Sequence, residues 1–165
     1  MKKLILSMVL VFMATASQAE DKKVTPQDVY DMVLKASYVL ENLGDEGLKA
    51  FSNKEGEFWK DDLYITVWNC DEKRMVFHIN PKLIEMGDKA WDLQGKMGVY
   101  LGRELCEASK NPNGGWVEYW WPKPGETEPS RKITFITQVP GQPFQVTAGI
   151  YDETTIEELK KQFGK

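Results

Sequence analysis

The chain has 165 residues, with 25 acidic against 21 basic side chains, a formal charge of −4 and a single histidine. That length fits one domain around one core. The negative balance opposes nucleic acid or anionic lipid as a partner, and a lone histidine excludes a histidine-rich metal site.

The amino terminus reads as a targeting segment. Lys2 and Lys3 precede an apolar run from Leu4 to Ala16, and Ser17-Gln18-Ala19 puts small residues at −3 and −1 of a cut after Ala19. The competing reading is a membrane anchor, but the run is short of the roughly 20 apolar residues a helical span needs. The expectation is a signal peptide over 1–19, a single domain over 20–165, and a location in the periplasm or outside the cell.

Thr25-Pro26-Gln27-Asp28 has the form of a helix start, with a capping hydroxyl, a proline in the first turn and an acid beside it. Val29, Met32, Val33, Ala36, Val39, Leu40 and Leu43 then recur at helical spacing until Gly44. A shorter helical piece is expected over 46–51, followed by a polar loop to Lys60. Leu63 to Asn69 and Arg74 to Ile79 read as two strands joined by the turn Asp71-Glu72-Lys73, with Asn80-Pro81 ending the second. A glycine-punctuated stretch leads to a helix within 99–109. Asn111 to Gly115 is a break, and strands are expected over 116–121, 132–139 and 144–151, then a polar helix over 155–163. This order predicts an α+β fold with a five-stranded antiparallel sheet.

Side chains alternate faces along a strand, so each strand divides in two. One set holds Leu63, Ile65, Val67, Met75, Phe77, Ile79, Ile133, Phe135, Val146, Ala148 and Ile150, and should pack on the first helix. The other holds Tyr64, Thr66, Trp68, Val76, His78, Val117, Tyr119, Trp121, Lys132, Thr134, Ile136, Thr147, Gly149 and Tyr151. Aromatic walls with a few convergent hydrogen-bonding groups are what a small-ligand pocket needs. The alternative is a covered second core whose polar tips reach water.

Cys70 and Cys106 stand outside any CxxC pair, which leaves both a disulfide and two free thiols open. No nucleophile elbow, phosphate loop or HExxH pattern is present, and no catalytic residue, metal or cofactor is expected. Gly87, Gly95 and Gly98 are turn glycines. Asp61-Asp62 and Asp71-Glu72 read as solvated strand ends rather than a calcium site.

Several segments together resemble the single Cache domain family, type 2. They include Glu41-Asn42-Leu43-Gly44, Asp62 to Val67, Met75 to Pro81, Gly95-Lys96, Gly115 to Pro124, Lys132 to Phe135 and Ala148 to Asp152. The most specific is Tyr119-Trp120-Trp121-Pro122-Lys123-Pro124, joined by Gly149-Ile150-Tyr151 downstream. Two positions depart from the family pattern: Ile79 and Asn80 separate His78 from Pro81, and Gln94 stands where an aspartate usually precedes the Gly-Lys turn.

The resemblance implies a PAS-like fold, with a long amino-terminal helix on one side of the sheet and a ligand pocket on the other. It implies a sensor, not an enzyme: an extracytoplasmic module for a short organic acid or similar metabolite, acting through a separate membrane chemoreceptor or sensor kinase. By the same resemblance Tyr119 and Trp121 form a wall and a donor, and Lys132 pairs with a carboxylate. His78, Tyr64 and Trp68 join them from strand parity. Plainer roles stand beside these: a surface position for Lys132, core packing for Trp121, and a backbone carbonyl partner for His78. A second functional reading is an envelope interaction module with a vestigial pocket.

Overall fold

A computed structural model describes residues 23–164, so the signal-peptide segment lies outside the described residues. Helix α1, Pro26–Leu43, opens with a reciprocal cap. The Thr25 hydroxyl accepts from the Asp28 backbone N–H at 3.3 Å, and the Asp28 carboxylate accepts from the Thr25 N–H at 2.8 Å. Such a cap contributes about 1 kcal/mol. The helix buries Val29, Met32, Val33, Ala36 and Leu40, as its periodicity predicts. A 3-10 helix over Gly44–Ser52 follows.

The sheet has six strands among the described residues, one more than expected: β1 Trp59–Lys60, β2 Leu63–Asn69, β3 Arg74–Phe77, β4 Gly115–Pro122, β5 Pro129–Gln138 and β6 Gln145–Ile150. The order is β1-β2-β6-β5-β4, with β3 also paired to β2, and every pairing is antiparallel. The extra strand is the two-residue β1, in the stretch expected to be loop. Asp61, at φ 52°, closes the two-residue turn that folds β1 onto β2.

Two short helical pieces absent from the sequence expectation, α2 Pro81–Glu85 and a 3-10 turn Gly87–Asp92, follow β3. Next come α3, Leu101–Ala108, and, at the carboxyl end, α4, Ile156–Phe163.

Two apolar clusters form on opposite faces of the sheet. Leu63, Ile65, Val67, Ile133, Phe135, Val146, Ala148 and Ile150 meet the buried side of α1, and Leu159 of α4 joins them. Trp116 of β4 belongs here too, in ring contact with Phe135 and Phe163. On the other face Trp68, Met75, Leu101, Leu105, Tyr119 and Ile136 form the second cluster.

The parity assignment fails in β3 and just past it: β3 ends at Phe77 rather than Ile79, and Ile79, expected against α1, lines a groove with Tyr64, His78 and Leu83 instead. Val67 pairs with Phe77 but Trp68 pairs with Met75, so Val76 is the extra residue of a β-bulge. The bulge turns Val76 and Phe77 both towards the α1 core and sends Met75 to the opposite face. Both Met75 and Val76 thus lie opposite to expectation, while His78 emerges on the expected side.

Cys70, just past β2, and Cys106, in α3, form a disulfide with Cα atoms 5.8 Å apart. It fastens α3 over the second face.

Candidate functional site

The second face carries a cavity of about 40 Å³. β2 supplies Tyr64, Thr66 and Trp68, β4 Tyr119 and Trp121, β5 Lys132 and Thr134, and β6 Thr147 and Gly149. Leu93, Leu101 and Leu105 roof it from the segment that ends in α3, and Met75 and His78 complete the wall. A buried water needs roughly 10–15 Å³ of such space, so the cavity admits a group of only a few heavy atoms. Gly149 makes the floor. A Cβ there would lie 2.1 Å from Thr134 Oγ1 and 3.0 Å from Lys132 Cε, so only glycine leaves room for the lysine stem.

Lys132 is 3% exposed. Its Nζ donates to Tyr64 Oη at 3.3 Å and stands 4.4 Å and 5.1 Å from the ring centroids of Tyr64 and Tyr151. Among the described residues no carboxylate reaches it within ion-pair distance. Burial pushes its pKa down to about 7, against a weaker upward pull from Asp62.

The neighbouring groups are also donors. Tyr119 Oη accepts from Thr134 Oγ1 at 3.1 Å, which leaves the phenol proton available. Tyr64 Oη likewise accepts from Lys132 and keeps its own proton to give. Burial raises both phenols, Tyr119 to about 12, so both stay protonated.

His78 Nδ1 accepts from the Asn80 backbone N–H at 2.8 Å, so the neutral ring carries its proton on Nε2. The backbone partner is therefore an N–H, not the carbonyl considered from sequence. Burial, helped by the Lys132 charge, lowers the His78 pKa to about 4 and keeps the ring neutral near pH 7. One ammonium, two phenols and an imidazole N–H thus line a small hollow in which, among the described residues, no carboxylate answers them.

All six residues singled out from sequence, Tyr64, Trp68, His78, Tyr119, Trp121 and Lys132, line this one cavity. Lys132 is not a surface lysine, and Trp121 is a wall of the hollow as well as part of the second cluster. Sequence reasoning missed Met75 and the roof residues Leu93, Leu101 and Leu105. Leu101 and Leu105 share one face of a helix that was foreseen, and that spacing was the available signal.

The sequence model described as Single Cache domain 2 matches residues 1–163. The chain belongs to the single Cache domain 2 family. Cache relatives bear this out in sequence and in structure. The methyl-accepting chemotaxis protein McpP of Pseudomonas putida is 27% identical over 106 residues, 64% of this chain and 18% of the receptor. The chain thus spans under a fifth of that relative's length.

Among solved structures, a Cache chemosensory domain described for carboxylic acid recognition superposes with a TM-score of 0.64 at 23% identity, over 77% of this Cache chain and 92% of its own. The periplasmic sensor domain of a chemotaxis protein superposes at 0.58 and 28% identity, over 75% and 88%. A methyl-accepting chemotaxis protein from Vibrio parahaemolyticus gives 0.57 at 17% identity, over 76% and 86%. The Cache sensor fold, with its helix-backed antiparallel sheet, is therefore the fold of this chain.

Proposed function

We propose that this Cache domain is an extracytoplasmic sensor for a short organic acid, whose carboxylate sits on Lys132. The observation that carries the reading is a buried ammonium without a carboxylate partner among the described residues. An unpaired buried charge is unfavourable, and a bound anion offsets it. Tyr64, Tyr119 and His78 add hydrogen bonds to the acid, and Trp68 and Trp121 cover its carbon atoms. A charge-assisted bond of this kind contributes about 1.5–3 kcal/mol, and the small cavity selects for acids with few carbons. The relative described for carboxylic acid recognition supports the same ligand class.

In this reading residues 1–19 are removed on export and residues 20–165 form the domain. Ligand occupancy is relayed through a membrane chemoreceptor or sensor kinase, as the receptor context of the McpP relative supports. The match to a family of sensory domains supports binding of the acid rather than chemistry on it.

Thermal unfolding with acetate, propionate, pyruvate and lactate tests the proposal. A ligand at 100 times its dissociation constant adds about 2.7 kcal/mol of stability, and Lys132→Met abolishes the response. A panel that moves the midpoint of neither protein refutes the reading.

A further inference from the structure

Outside the cavity lies an open groove of about 450 Å³, lined in part by Lys54, Trp59, Leu83, Lys123 and Pro124. Tyr64, His78 and Trp121 line both spaces, so these three side chains stand between them. We propose that this groove is a second subsite that takes an anionic group, so that the domain also accepts α,ω-dicarboxylates with one acid on Lys132 and the other between Lys54 and Lys123. The inference rests on the reading of Lys132 as a carboxylate anchor.

Three observations support it. The inner space is only about 40 Å³, so the outer end of a longer ligand needs room beyond it, and the groove on the far side of Tyr64, His78 and Trp121 offers that room. The groove carries two lysines against one acid, Glu126, on a chain whose overall charge is −4. Each lysine is held over a ring rather than by a carboxylate: Lys54 Nζ is 5.2 Å from the Trp59 centroid, and Lys123 Nζ is 5.5 Å from that of Tyr151. Neither forms an ion pair among the described residues. Lys132 approaches the same Tyr151 ring at 5.1 Å, which ties the inner and outer cations to one side chain.

Calorimetric titration with propionate, butyrate and glutarate separates the possibilities, using the wild-type protein and the double variant Lys54→Ala/Lys123→Ala. The wild type is expected to bind glutarate roughly fivefold more tightly than butyrate, the scale of an exposed ion pair. High salt should shrink that advantage, because the outer pair is solvent-screened. The double variant, melting at the wild-type temperature, should bind both four- and five-carbon acids equally while propionate affinity stays unchanged. Glutarate binding no tighter than butyrate, or indifferent to the double substitution, overturns the outer subsite and leaves the inner anchor standing. Binding of none of the three acids overturns both.

Discussion

Lys132 has three ammonium protons, and the only acceptor it meets among the described residues is the Tyr64 hydroxyl. In the proposed reading this residue serves binding at the expense of the empty fold. Replacing it by methionine, similar in volume and uncharged, should stabilise the ligand-free domain by roughly 1 kcal/mol or more at pH 6. Urea midpoints of the two proteins measure this, and a less stable variant would mean the charge is already satisfied.

The pH dependence has a definite sign. The pKa of Lys132 falls from 10.5 to about 7 on folding. Between those values the unfolded chain holds a proton that the folded chain has released, so this group makes stability rise with pH across that window. A carboxylate needs the charged lysine. Affinity for a short acid should therefore be flat below pH 7 and weaken by up to about tenfold per unit above it. Titrations at pH 6 and pH 9 check this, and equal affinities would contradict it. His78, lowered to about 4, is neutral across that range and adds nothing to the slope.

The site residues were legible in the sequence where strands run in regular register. In β2, β4 and β5 a period of two is enough to sort Tyr64, Trp68, Tyr119, Trp121 and Lys132 onto one face. It failed at Met75 because the bulge at Val76 has no local mark, such as a glycine, in the sequence.

At the level of elements, the roof of the cavity depends on where α3 is held. Gly102 lets it approach closely, since a Cβ there would stand 2.9 Å from the Trp68 ring. The Cys70–Cys106 bridge fixes the same helix to the end of β2 across a separation of 36 residues. Loops of that size lose about 2–4 kcal/mol of stability when the bridge is removed. Cys70→Ser/Cys106→Ser should show that loss in urea and should bind short acids more weakly, because Leu101 and Leu105 are no longer clamped. An unchanged midpoint would show the bridge to be incidental.

Spacing alone left this pairing open, because two cysteines so far apart say nothing about which elements meet. Helix α2 did have a signal: Asn80 accepts from the Lys82 N–H at 3.1 Å and Pro81 occupies the first turn. Asn80-Pro81 marks a strand end and a helix start alike, and its sequence alone does not separate the two. β1 is two residues long and exists because Asp61 adopts a positive φ, which no periodicity reveals.

Over the whole molecule, the first face of the sheet builds the fold and the second carries the site. The division was legible because the two faces have different chemistry, one aliphatic and one ringed with donors. What composition left open was whether that second face was a hollow or merely a covered core. The path of residues 80–108 decides it by roofing the face without filling it, and that path depends on tertiary contacts rather than local propensity. The chain's net charge of −4 repels an approaching anion at long range, so in the proposed reading Lys132 and the two groove lysines supply the local attraction.

If the buried Lys132 ammonium anchors an acid, nitrogen NMR of its side chain observes the pairing directly. In the free protein the side chain should titrate near pH 7, moving upward by at least about one unit when acetate or propionate saturates the site. Titration near the ordinary lysine value, unmoved by any short acid, would contradict it.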